Sequence, residues 1–204
     1  MKDIIRTRKY TLFKEKDFKA KAKYESKFNA IDNSNWKNIF TIPIALKCDN
    51  QLKELQFKIL HRIYPVNQFL YKINKVDSPK CFFCEIYDET LEHLFVKCPV
   101  IKTFWLRLFS LWKVFDNSVI EIGDKDIMLG VNLGRPEENA AINLLMLYGK
   151  KFIVNCKMDK LDINVMIFIR YVQSHYDLSL NHLYVRKLET YEAVVADFCL
   201  HTQM

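Results

Sequence analysis

Four residues within one short stretch constrain this chain more than anything else in it. Cys81, Cys84, His93 and Cys98 stand at the spacing C-x2-C-x8-H-x4-C, so three thiols and one imidazole fall within 18 residues. That donor set suits a tetrahedral zinc site with no open position. The first pair can form a tight turn that points two sulfurs inward. The second pair is five residues apart, a rotation of about 500° on an α-helix. One ligand must therefore leave the helix, or the last turn must distort. Pro99 follows at once and biases Cys98 away from helical backbone. Cys98 is thus expected at the end of a short helix that carries His93.

The rest of the chain can supply a core around such a site. Of 204 residues, 50% are hydrophobic and 14% aromatic, enough to bury a sizeable interior and to disfavour disorder except at the ends. Only four glycines and five prolines occur. That scarcity argues against a sandwich or barrel, which needs frequent tight turns. No run of about 18 uncharged apolar residues exists, so no membrane span is expected, and the first residues lack the apolar core of a signal peptide. Beyond the three motif cysteines, Cys48, Cys156 and Cys199 are scattered. They do not read as a disulfide framework, which fits a reducing, intracellular compartment, nucleus or cytoplasm.

Charge is distributed unevenly. Residues 1–80 hold 18 Lys/Arg and 8 Asp/Glu, a balance of +10, whereas residues 81–204 hold 13 and 16, a balance of −3. Such asymmetry suggests a polyanionic partner for the first part. Residues 1–27 alone carry ten Lys/Arg against four Asp/Glu. They read as a basic helix, either a solvated face or a phosphate-contacting arm.

Hydrophobic spacing predicts a mainly α fold, an irregular helical domain with a CCHC zinc knuckle inserted between helices. Trp36 and Phe40 give a short apolar face that Pro43 ends or kinks. A helix over 51–64 presents Leu52, Leu55, Ile59 and Ile63, widened by Phe57, Leu60 and Tyr64. A second short helix follows, N-capped by Asn67, with Phe69, Leu70 and Ile73 facing in. After the knuckle, Ile101, Trp105, Leu108, Trp112 and Phe115 recur at helical spacing, thickened by Phe104 and Phe109, and read as core. The apolar run 127–131 is a short strand or a packed loop. Pro136 opens a helix with the stripe Ala141, Leu145, Tyr148, Phe152 and Cys156; Gly149 inside it implies close packing. Asp162 caps a further helix through Tyr176, and residues 181–198 form a last one. Three regions result: a basic arm and connector over 1–50, the knuckle module over 51–115, and a C-terminal helical region over 116–204 packed on it.

Three segments together resemble a known family. They are Leu55-Gln56-Phe57-Lys58-Ile59-Leu60-His61-Arg62-Ile63-Tyr64-Pro65-Val66-Asn67, then Ser78-Pro79-Lys80-Cys81-Phe82-Phe83-Cys84, then Glu89 through Pro99 with Phe104-Trp105. They are similar to the zinc-binding C-terminal region of LINE-type (non-LTR) retrotransposon reverse transcriptases. The likeness covers roughly residues 30–176 and is specific over 55–105. It implies zinc ligands at Cys81, Cys84, His93 and Cys98. It also implies a role in holding template RNA and target DNA, with a retrotransposon polymerase as a partner supplied in trans. The chain departs from a complete element protein, since neither an Asp-Asp polymerase signature nor an endonuclease domain is present. It is therefore expected to be a detached, non-enzymatic, nucleic-acid-binding accessory module. The alternatives are a zinc-stabilised structural or protein-interaction domain and a non-functional transposon remnant. No nucleophile–base pair stands out, and His175, His182 and His201 read as surface histidines.

Charge locates the expected nucleic-acid contacts away from the knuckle itself. Glu85, Asp88, Glu89 and Glu92 lie between Cys84 and His93, with no Lys or Arg. An acidic knuckle would repel phosphates. It is expected to act as a staple between the 51–64 and 100–115 helices, with at least two of Phe82, Phe83 and Tyr87 buried. The basic surface it displays would comprise Lys53, Lys58, His61, Arg62, Lys72, Lys75 and Lys80.

Overall fold

The computed structural model describes residues 19–28, 33–46, 48–116, 121–132 and 136–175. Most of the expected basic arm and the helix expected over 181–198 lie outside them. The described part is mainly helical. The elements are α1 (Lys19–Phe28), α2 (Asn33–Ala45), α3 (Asn50–Leu60), α4 (Asn67–Lys72), a π-helical turn (His93–Lys97), α5 (Pro99–Asp116), α6 (Asp124–Leu129), α7 (Pro136–Asp159) and α8 (Val165–His175). Among the described residues there is no strand, only one antiparallel bridge between Lys80 and Asp88.

α5 is the central element. Its aromatic stripe buries Ile101, Phe104, Trp105, Leu108 and Phe109. It packs on the π-turn and on α8, while α7 lies against α3 and α8. Phe104 makes edge contact with Phe168 of α8, ring centroids 5.4 Å apart, and stacks with Phe152 of α7 at 6.1 Å. Gly149 has the packing role its position implied: a Cβ there would collide with the Trp105 ring. The Trp105 indole N–H donates to the carbonyl of Phe95, 2.8 Å away, so the aromatic layer is hydrogen-bonded to the π-turn. A buried indole requires such a partner.

Several expected boundaries shift for local reasons. α2 runs through Pro43 to Ala45. α3 begins at Asn50, one residue earlier than expected, because the Asp49 carboxylate accepts from the Leu52 N–H at 2.8 Å. It ends at Leu60, which leaves Ile63 beyond it 59% exposed, and Phe57, within the helix, is 44% exposed. α4 exists, but none of its residues is buried, and Phe69 and Ile73 face outward. The cap of α8 is Asn164 rather than Asp162; its side-chain oxygen accepts from Met166 and Ile167 N–H groups. Residues 127–129 are helical, being the end of α6.

That segment is held by buried polar side chains that periodicity did not reveal. Gln56 of α3 donates to the carbonyl of Met128 at 2.9 Å. Lys150 of α7 donates to the carbonyl of Ile127 at 2.8 Å and to Gln56 Oε1 at 2.5 Å. Asn143 both accepts from the Val131 N–H and donates to its carbonyl, each at 2.9 Å. Carbonyls at a helix end have no intrahelical donor, and here Gln56 and Lys150 supply one. Lys150 is 1% exposed. Burial pulls its ammonium down to about 7.

Glycine scarcity shows at the helix ends. The left-handed residue that closes a helix is usually glycine. Here Arg62, Asn74 and Lys160 take it, with φ of 56°, 53° and 56°. In each case the next N–H reaches back five residues: Ile63 to Lys58, Lys75 to Leu70 and Leu161 to Cys156, at 2.8–2.9 Å.

A candidate metal centre stapled by buried ion pairs

The four motif residues converge. Their ligand atoms all lie within 4.8 Å of one another. Cys81 Sγ is 3.8 Å from Cys98 Sγ, and Cys84 Sγ is 3.3 Å from His93 Nε2. A tetrahedron with metal–sulfur bonds of about 2.3 Å and a metal–nitrogen bond of about 2.0 Å has edges of about 3.6–3.8 Å. The donor set therefore fits a zinc ion, by chemistry and by spacing.

Local backbone explains how the chain reaches this geometry. Residues 79–89 fold as a tight loop: Cys81 N–H donates to Tyr87 O at 2.9 Å, and Glu89 N–H to Pro79 O at 2.8 Å. Glu85, just after Cys84, closes the C-x2-C turn with φ 56°. Thr90 then starts the second half by accepting the His93 N–H at 3.1 Å. The awkward five-residue step from His93 to Cys98 is resolved by winding residues 93–97 as a π-turn, closed by Cys98 N–H to His93 O at 2.9 Å. Cys98 itself leaves the helix with extended backbone, φ −61° and ψ 130°. π-turns of this kind concentrate at functional sites.

Cys98 also sits just before α5. Backbone N–H groups of Val100 and Ile101 reach its sulfur, and those of Phe83 and Cys84 reach the sulfur of Cys81. The hydrogen bond from Cys81, helped by these helix N–H groups, holds Cys98 below the usual thiol range; the same bond, with burial, pushes Cys81 up. The donors aimed at Cys98 favour its thiolate, the form that ligates metal. Burial lowers the His93 imidazole, favouring the neutral form that ligates metal.

Two carboxylates beside these ligands turn inward. Glu89 is 0% and Glu92 1% exposed. Glu92 Oε1 accepts from Arg62 at 2.5 Å, and its other oxygen lies 2.9 Å from Lys27 Nζ. Burial alone would raise the Glu92 carboxyl, but the hydrogen bonds from Arg62 and Lys27 outweigh it and hold it at about 2. Glu89 pairs with Lys157 of α7 and accepts the Asn67 N–H at the start of α4, at 2.8 Å. Asn67 is thus the first residue of α4, capped by a carboxylate from the loop. The knuckle links α1, the end of α3, α4 and α7, more elements than the two helices its staple role was expected to join. Its outer face is also less acidic than its sequence: Glu89 and Glu92 are internal, Asp88 pairs with Lys80 at 3.1 Å, and Glu85 is exposed. Phe82 and Phe83 are half-buried against each other, and Tyr87 is exposed beside His93.

The residues expected on a basic surface are dispersed among different roles. Lys72 and Lys75 are exposed and in no ion pair among the described residues. Lys58 pairs with Glu54 one helical turn away, and Lys80 with Asp88. Lys53 is half-buried. His61 lies between the rings of Phe40 and Phe57. Arg62 faces Glu92 and stacks over Tyr24, 5.0 Å from its ring centroid. Tyr24 in turn donates to the carbonyl of Ile59 at 2.7 Å and is fully buried. α1 is therefore docked on the knuckle module through Tyr24 and Lys27. The pairing of Lys27 and Lys157 with the buried Glu92 and Glu89, and the burial of Tyr24, were not expected from the sequence, in which Glu89 and Glu92 read as acidic charge on the knuckle; the one available signal was that they sit four and one residues before His93.

No helix among the described residues is long and apolar enough to cross a membrane. No curated protein and no solved structure matches the chain. Residues 18–105, from the start of α1 to Trp105, match the family described as zinc-binding in reverse transcriptase. Over that stretch the chain is related to the zinc-binding region of reverse transcriptases.

Proposed function

We propose that this is a zinc-stabilised nucleic-acid-binding module of the kind found with LINE-type reverse transcriptases. Cys81, Cys84, His93 and Cys98 hold one zinc ion that organises the fold. The observation that carries this reading is the closed Cys3His cluster lying inside the stretch that matches the reverse-transcriptase family. A site with four protein ligands leaves no position for an activated water, so the zinc is structural and the module is not itself catalytic. Its role is to hold template RNA or target DNA for a polymerase domain, through exposed lysines beside the knuckle. Lys72 and Lys75 are the leading contacts. Lys58 and Lys80 contribute as well, because exposed pairs such as theirs are weak and yield readily to a phosphate.

Two measurements test this. Metal analysis of the purified chain should give one zinc per chain. Titration with RNA and with DNA over a salt series should show affinity falling steeply, each lost lysine contact lowering the slope by about 0.7–0.9. Absence of binding at low salt in a zinc-loaded chain would leave a structural or protein-interaction domain as the better reading.

A further inference from the structure

α4 is attached to the molecule through its first turn. Asn67 N–H and Gln68 N–H donate to the side chain and carbonyl of Glu89, at 2.8 and 3.2 Å. The Asn67 amide donates to the carbonyl of Lys80 and accepts from Lys157, at 2.8 and 2.9 Å. Beyond that turn the helix buries nothing. Phe69 is 53% exposed, Tyr71 47%, and Ile73, just past the end, 46%. A helix of six residues has little stability of its own in water, so its attachments are what hold these large side chains in solvent. The charged side chains over residues 66–76 are Lys72 and Lys75, both cations and both exposed. At about 100° per residue, Phe69 and Tyr71 fall on opposite flanks of the helix with Lys72 between them.

Ring, ammonium and ring in succession select among occupants. An apolar protein surface would have to desolvate Lys72. A duplex could use the lysines but offers its bases already stacked. An unpaired strand uses all of it, with bases on the aromatic faces and phosphates on the ammonium groups. We propose that α4 is a platform for single-stranded nucleic acid, RNA or DNA, stacking bases on Phe69 and Tyr71 with the backbone drawn to Lys72 and Lys75. This rests on the nucleic-acid-binding reading above and narrows it.

The test uses the full, zinc-loaded chain and an oligonucleotide carrying 2-aminopurine, presented single-stranded and as a duplex. Phe69→Ala with Tyr71→Ala should weaken single-strand binding by on the order of 5- to 150-fold for each stacked base lost. The salt slope should be unchanged, the aminopurine fluorescence of the complex should rise, and duplex affinity should stay the same. Since neither side chain is buried, zinc content and melting should not move, which separates lost stacking from lost folding. Lys72→Ala with Lys75→Ala should instead reduce the salt slope. If the wild-type chain binds single strands and the double aromatic variant binds them equally well, the platform is wrong while the nucleic-acid reading stands. The platform is equally wrong if the variant loses duplex binding in proportion, or if its one change is in self-association by sedimentation. If the wild-type chain binds no nucleic acid at low salt, both fall.

Discussion

Around the knuckle, Glu89 and Glu92 are buried against Lys27, Arg62 and Lys157, cations drawn from three separate places in the chain. At the end of α6, Lys150 is buried with no carboxylate among its hydrogen-bond partners, only the carbonyl of Ile127 and the side chain of Gln56. The first arrangement sets each buried carboxylate against cations, with Glu92 held far below the usual carboxylate range. Removing one partner strands the group it faced, and breaking a buried pair costs far more than the pair contributes net. The second is a single base in a cage of dipoles, which can relieve its own desolvation by releasing a proton. The knuckle region therefore keeps the Glu92 charge down to well below neutral pH, while the α6 region has a charge that can disappear near neutrality.

The largest effect should come from what places the network in the first place. Glu89 and Glu92 are aligned by the loop and turn that carry the metal ligands, and α6 packs against that same turn. Structural zinc is worth on the order of 10 kcal/mol in small domains. Cys84→Ser, or chelation, should remove zinc, lower melting steeply and abolish hydrogen-exchange protection at least over residues 78–115. Both regions should respond. A Cys84→Ser chain with full zinc and unchanged melting would sink the assignment.

Next in size is the network alone. Glu92→Gln keeps the shape and the zinc ligands but leaves Arg62 and Lys27 without their anion. Arg62 and Glu92 are well shielded, with side chains 16% and 1% exposed, so a loss of about 3 kcal/mol is expected. The sign with pH follows from the depressed carboxyl. Its contribution is complete above the unfolded value near 4.5 and fades as pH falls from there toward about 2. Denaturant unfolding of wild type and variant at several pH values should show the two curves converging over that window. Parallel curves would mean that folding leaves the Glu92 carboxyl unshifted and that its pairing with Arg62 and Lys27 contributes nothing.

Both regions were only partly readable beforehand, for different reasons. The Cys/His cluster was legible because metal coordination fixes residue type and spacing together, and the distortion at His93–Cys98 followed from arithmetic on one helix. The stripe of α5 was legible because burial imposes a period. The buried ions were not, because a Glu or Lys in sequence looks the same whether it faces water or a partner 30 or 68 positions away. Lys150 lies off the stripe that periodicity reads, and the carbonyls it satisfies are invisible in sequence. α4 failed in the opposite direction. Phe69, Leu70 and Ile73 have the spacing of a buried face, yet the helix stands outside the core, since spacing tells which residues share a side and not whether anything covers it.

Lys150 gives a prediction of intermediate size and opposite pH sense. Its folded value is depressed to about 7, whereas the unfolded chain keeps this proton to about 10.4. Between those limits the unfolded state binds more protons, so this lysine makes stability rise with pH at up to about 1.4 kcal/mol per unit. Lys150→Met lacks the term, and other titrating groups cancel in the difference. Wild type should gain about 2 kcal/mol on the variant between pH 7 and 9. A pH-independent difference would show that Lys150 is ionised in the fold or reaches water.

The smallest effect compares two helix ends with the same backbone. Arg62 and Lys160 both hold φ 56° where glycine is the usual residue. A side chain there costs about 1–2 kcal/mol, and glycine returns roughly half of that through the freedom it adds to the unfolded chain. Lys160 is exposed, so Lys160→Gly should stabilise by about 0.5 kcal/mol. Arg62→Gly gains the same backbone term but abandons Glu92 and the face of Tyr24. It should destabilise by about 3 kcal/mol, close to the cost of Glu92→Gln because both break the same pair. Combining Arg62→Gly with Glu92→Gln should then cost much less than the sum of the two. Stability measurements on the four variants read all of this at once. If both glycine substitutions stabilise, the strain at Arg62 outweighs its pairing, and the buried network contributes less to the knuckle than its geometry implies.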